Sequence, residues 1–185
     1  MSGEHDLSGL FEDLEQQAQG LRLADRDAEV ADRARAEYAA GVDLAARMHA
    51  SFGRPVALAV RGVGSLEGTV TSAGPDWCLL AAAGGGEWLV RLAAITLGRG
   101  LSERAVVERA RPVSGRLGFG SALRRLAEAH TPAAVHGIDG ARVRGRVARV
   151  GFDFFELRVD DDGSALPGGE VAVVPMAHVA AVRSD

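Results

Sequence analysis

Residues 68–80 read GTVTSAGPDWCLL, and residues 145–157 read GRVARVGFDFFEL. Gly68, Gly74, Asp76 and Leu80 stand 77 positions before Gly145, Gly151, Asp153 and Leu157, and Trp77 stands in the same relation to Phe154. Farther along, Leu89-Val90-Arg91-Leu92-Ala93-Ala94-Ile95 aligns with Val173-Val174-Pro175-Met176-Ala177-His178-Val179 at an offset of 84. The second copy therefore carries seven extra residues, placed around Asp160 to Gly169. Self-similarity at a fixed period marks one supersecondary unit used twice.

The texture of each copy is β. Val56, Leu58 and Val60 alternate with small residues, and Val143, Gly145 and Val147 alternate with Arg142, Arg144 and Arg146. A period of two places the first set of each series on a buried face and the arginines on an open one. Gly74-Pro75-Asp76 and Gly151-Phe152-Asp153 read as tight turns, with glycine supplying positive φ and aspartate bonding its own backbone. An apolar strand follows each turn, then a Gly84-Gly85-Gly86 hairpin in copy one, then two further short strands. Helices precede both strand sets: Asp43 to Ser51, and Ser121 to His130 with Ser121 as N-cap and Pro132 as the stop. Ahead of both lies an acidic segment with a Leu7, Leu10, Phe11, Leu14 stripe at helical spacing.

The formal charge of −4 conceals segregation. Residues 1–50 carry −6, 51–100 carry +1, 101–151 carry +6 and 152–185 carry −5. Every one of the 21 basic residues apart from histidine is arginine. A chain dedicated to nucleic acid is usually basic throughout, whereas here only the middle is. No apolar run approaches the roughly 20 residues that span a bilayer, and Met1 to Asp6 lacks a secretory pattern. A single cysteine, Cys78, rules out an internal disulfide framework, so the expected location is the cytoplasm.

Candidate nucleic-acid contacts are Arg142, Arg144 and Arg146 on one strand face, with Arg124, Arg125 and Arg149 near them and Arg91 in copy one. Spaced guanidiniums bond phosphate bidentately; the alternative is a solvated face, or one answering the acidic N-terminal segment. Trp77 and Phe154 are out of phase with Cys78/Leu80 and Phe155/Leu157. They face either a protein partner or a covering helix, and with Leu7, Leu10, Phe11 and Leu14 they are the candidate protein interface. Gly115-x-x-Gly118-x-Gly120-Ser121 imitates a phosphate loop but lacks the following lysine. The five histidines show no ligand spacing, Asp160 to Asp162 are consecutive rather than alternating, and Cys78 lies on the inner face. No metal, cofactor, small-molecule substrate or catalytic constellation is expected, and the chain is not expected to be an enzyme.

The order helix then five strands, with Asp139-Gly140, Gly145, Gly151-x-Asp153, Phe155-x-Leu157 and the closing Val173 to Val179 segment, resembles the Sm-like (Hfq- and Sm-type, SH3-like) small barrels. The whole chain also resembles a protein family of high-GC actinobacteria. The Sm-type RNA pocket is not reproduced: the Arg-Gly pair falls at Arg91-Leu92 and Pro175-Met176. The resemblance implies a mostly β fold of two tandem five-stranded Sm/SH3-like barrels, each preceded by a helix. On this reading residues 1–41 are an acidic helical arm, 42–110 barrel one and 111–185 barrel two with its helix. The expected function is a noncatalytic adaptor or assembly protein that self-associates or docks a protein, in the setting of RNA metabolism. The rival is a direct RNA- or DNA-binding regulator using the arginine face.

Overall fold

The computed structural model describes residues 20, 23, 25–38, 40–160 and 169–184. The chain divides into two compact units, 1–42 and 43–185. In the first, residues 25–38 form a helix, α1, whose side chains are exposed apart from half-buried Ala31. Two exposed pairs, Asp32–Arg35 and Arg33–Glu37, span one helical turn and contribute a few tenths of a kcal/mol each. Leu7, Leu10, Phe11 and Leu14 lie outside the described residues.

The second unit begins with α2 (Leu44–Ala50) and then β1 (Pro55–Val60), β2 (Gly64–Ala73), β3 (Trp77–Ala82), β4 (Glu87–Arg91) and β5 (Ile95–Arg99). After a connecting segment come α3 (Phe119–Glu128), β6 (Pro132–Gly137), β7 (Arg142–Val150), β8 (Phe154–Val159), β9 (Val171–Pro175) and β10 (Val179–Ser184). Asp43 caps α2 by accepting the Ala46 N–H, and it also holds the buried Arg111 at 2.9 Å. That ion pair and the Val106 N–H to Ala46 carbonyl bond lay the connecting segment over α2.

The duplication is carried into the hydrogen-bond register. Pro55 pairs with Thr69 as Pro132 pairs with Arg146, and Gly68 pairs with Ala82 as Gly145 pairs with Val159. The bulge between Val70 and Ser72 recurs between Val147 and Arg149. Gly68 and Gly145 do the same job: a Cβ at either would overlap a carbonyl oxygen on the neighbouring strand, of Ala81 or of Arg158. Gly74 and Gly151 act differently from the expected turn chemistry. Neither has positive φ; each leaves room for the aromatic ring three residues on, Trp77 or Phe154.

Two closed five-stranded barrels are not what these units build. All ten strands join one open, antiparallel sheet in the order β5-β1-β2-β3-β4-β10-β6-β7-β8-β9. Each half keeps the sequence fifth, first, second, third, fourth, but its fourth strand does not return to its own fifth. Instead β4 pairs with β10, the fifth strand of the other copy, through Val90↔Ala181, Leu89↔Val182, Trp88↔Arg183 and Glu87↔Ser184. The fold is mostly β, and its halves are joined at this seam. Among the described residues no helix is long and apolar enough to cross a membrane.

The seam divides the core in two. Val90, Ala180 and Ala181 enter one cluster with Met48, Leu58, Val70, Cys78 and Leu80. Leu89, Val179 and Val182 enter the other, with Trp77, Phe119, Leu123, Phe155 and Leu157. Alternation along a strand sends successive side chains to opposite faces, so β3, β4 and β10 each serve both cores. Helix α3 starts at Phe119, two residues before Ser121, because the Asp76 carboxylate accepts the Phe119 N–H at 2.9 Å.

Candidate functional site

The arginines of β7 lie on the sheet face away from α3. Val147, which is buried under Phe119 and Leu123 of α3, points to one side, and Arg142, Arg144 and Arg146 point to the other. Arg142 and Arg146 are exposed and Arg144 is half-buried. Register adds two arginines to the three expected from the sequence. Arg158 on β8 stands directly opposite Arg146. Arg183 on β10 reaches the same row as Arg144 through Ala134, which pairs with both.

Across the seam this row ends in an aromatic cluster. The Trp88 and His136 rings lie 5.1 Å apart, and the Arg183 guanidinium sits 5.6 Å over the Trp88 ring. Burial, then Arg142 and Arg183, hold the His136 imidazole below its ordinary pKa. The ring is thus biased to stay neutral beside two cations.

Other expected members are elsewhere. Arg91 bonds Asp76 at 2.7 Å and covers the Phe119 ring at 4.9 Å, so it fastens α3 to the first half. Arg149 is held by both oxygens of Glu156, at 2.7 and 2.8 Å, and its guanidinium pKa is raised by that bonding. Arg124 and Arg125 are exposed on α3, on the opposite side of the sheet. Arg158 and Arg183 escaped the sequence reading because alternation alone does not say which strands are neighbours.

The glycine-rich approach to α3 serves packing. Gly118 is the N-cap and offers no side chain, and the Asp76 carboxylate already occupies the helix N-terminus. Trp77 is buried beneath α3, its indole N–H donating to the Leu117 carbonyl at 2.8 Å. A cavity of about 270 Å³ remains beside it, lined by Leu79, Leu89, Leu126 and Val182. Phe154, the equivalent aromatic, is 37% exposed.

The two ends of the sheet form a second candidate region. Among the described residues β5 and β9 each pair on one side only. Exposed apolar side chains gather there: Leu97 on β5, Val171 and Val173 on β9, and Phe152 in the turn before β8. No group of three or more His, Cys, Asp or Glu among the described residues is placed to hold a metal ion. Burial pushes the Cys78 thiol up to about 12, which makes it a poor nucleophile. No protein-family model and no curated protein matches the chain.

Proposed function

We propose that this chain is an assembly protein without catalytic activity that joins further copies of itself head to tail, β9 of one copy lying along β5 of the next. The observation behind this reading is the internal seam. β4 and β10 show how the fourth strand of one repeat accepts the fifth strand of another. Duplication leaves one strand of each kind over, β9 and β5, at opposite ends of the sheet. Transferring the seam by the repeat offsets pairs Val174 with Leu97 and Val173 with Gly98 of a second copy.

Magnitudes make this contact concentration-dependent. Covering Leu97, Val171 and Val173 fully yields roughly 1.5–3 kcal/mol each, against about 4–15 kcal/mol for lost freedom on association. The internal seam escapes most of that cost because its strands are tethered. Pro175 lies one residue beyond the four that pair in the transferred register, so its missing N–H does not interrupt the contact.

Sedimentation over a rising protein concentration tests the reading. Association is expected, and it is abolished by Val173→Lys, which places a charge on the edge strand. A chain carrying Leu97→Cys and Val174→Cys is expected to oxidise to a disulfide-linked ladder. A chain that stays monomeric at all concentrations defeats the proposal, as does association indifferent to Val173→Lys.

A further inference from the structure

We infer that the exposed face of β6, β7 and β8 binds the phosphodiester backbone of nucleic acid without discriminating bases. This goes beyond the assembly reading and does not depend on it.

The first ground is an electrostatic arrangement that folding alone disfavours. Arg146 and Arg158 are direct cross-strand partners, and like charges so placed are destabilising. Arg146 meets Asp160 at 3.4 Å, in a pair that water reaches from both sides. Among the described residues neither Arg142 nor Arg158 has an ion-pair partner. A surface that crowds cations in this way, two of them outside any ion pair among the described residues, is suited to an anionic ligand.

The second ground is spacing. Arg142, Arg144 and Arg146 follow one another at every second residue, which along a strand is about 6.8 Å. Arg158 extends the row sideways by one strand. This is a regular grid of bidentate donors, suited to a polymer with evenly repeated phosphates rather than to a single anion.

The third ground distinguishes nucleic acid from an acidic protein. Opposite Arg146, Arg144 and Arg142 on β6 stand Pro132, the buried Ala134 and the half-buried His136. None of the three is an exposed large apolar side chain of the kind that anchors a protein interface, which needs aromatic or aliphatic hot spots. The His136 ring opposite Arg142 is already packed against Trp88 at 5.1 Å, and no exposed aromatic among the described residues lies between the arginines, so the contact is to the backbone. The chain's net charge of −4 does not oppose this, since fields beyond about 10 Å are screened at 0.1 M salt.

Fluorescence anisotropy on the full chain tests the inference, with labelled 20-nucleotide single-stranded RNA, single-stranded DNA and duplex DNA of mixed sequence. Binding to all three is expected at 50 mM salt. If three or four phosphates are neutralised, log affinity for the single strands falls with log salt at a slope of about −2 to −3. Arg146→Gln with Arg158→Gln is expected to make that slope shallower by about 1.4, since each lost phosphate contact removes about 0.7. The thermal midpoint of that variant is expected to stay the same or rise, because the cross-strand repulsion is gone. Arg124→Gln with Arg125→Gln, on the opposite face, is expected to change nothing. Absence of binding at 50 mM salt overturns the inference, as does a double variant that binds like the parent. Competition by polyglutamate as effective as that by RNA of equal charge would assign the face to acidic protein instead.

Discussion

Residues 55–99 and 132–184 share one strand plan, yet Leu89 is 4% exposed and Val173, its equivalent, is 62% exposed. The same contrast runs through the cluster around the turn. Trp77 is buried under α3 while Phe154 lies at the surface. Asp76 caps α3 and binds Arg91, whereas the equivalents Asp153 and Pro175 include no cation. The backbone of the repeat is set locally, but burial is set by the neighbour. In the first half the neighbours are α3 and β10; in the second, β9 has no strand on its outer side among the described residues.

Trp77→Ala should separate the halves most strongly. Removing a buried indole that also donates to Leu117 is expected to cost about 3–5 kcal/mol, while Phe154→Ala should stay within about 1 kcal/mol. Urea denaturation of both variants measures the difference, and equal losses would show that α3 does not make the distinction. Asp76→Ala ranks next, at about 1–2 kcal/mol for the lost helix cap, against less than about 0.5 kcal/mol for Asp153→Ala. The same titration decides it.

The pH response sharpens the comparison at the seam, where His136 replaces Ala59 of the first copy. Its pKa is depressed in the fold by burial, Arg142 and Arg183. The unfolded chain therefore takes up the proton first as pH falls. Stability is complete above the ordinary histidine value of about 6.5 and declines below it. His49, depressed by burial and then by Arg111, contributes in the same sense. His136→Gln is expected to reduce the difference in unfolding free energy between pH 7.5 and pH 5.5, and an unchanged difference would leave His49 as its source. The smallest effect concerns Cys78, whose equivalent is Phe155. At pH 8 a thiol reagent should leave native Cys78 unmodified and react fully once denaturant is added, because the folded thiol ionises only near 12.

Much of this architecture could be read without coordinates. Alternation located Val56, Leu58 and Val60 in the core, and the 77-residue offset anticipated that one strand plan is used twice. The joining of the halves could not be read, because strand pairing between β4 and β10 is a choice among edges with similar local patterns. The barrel closure implied by the resemblance to Sm-like barrels is replaced by the seam. Site residues followed the same rule. Arg142 and Arg146 were visible as a period-two series, whereas Arg158 and Arg183 join them only through register. Arg91 looked like a free cation in sequence, and its partners Asp76 and Phe119 lie 15 and 28 positions away.

Strand β10 has a consequence for how the molecule comes to exist. It is translated after the other nine, yet it occupies the middle of the strand order, between β4 and β6. Until residues 179–184 emerge from the ribosome, the nascent first half exposes the flank of β4 and the nascent second half that of β6. Such unpaired edges invite wrong partners during synthesis, and closing a contact some 90 residues apart is slow relative to local pairing. The order of manufacture thus makes the codons for residues 179–184 the ones that commit both halves to a common structure.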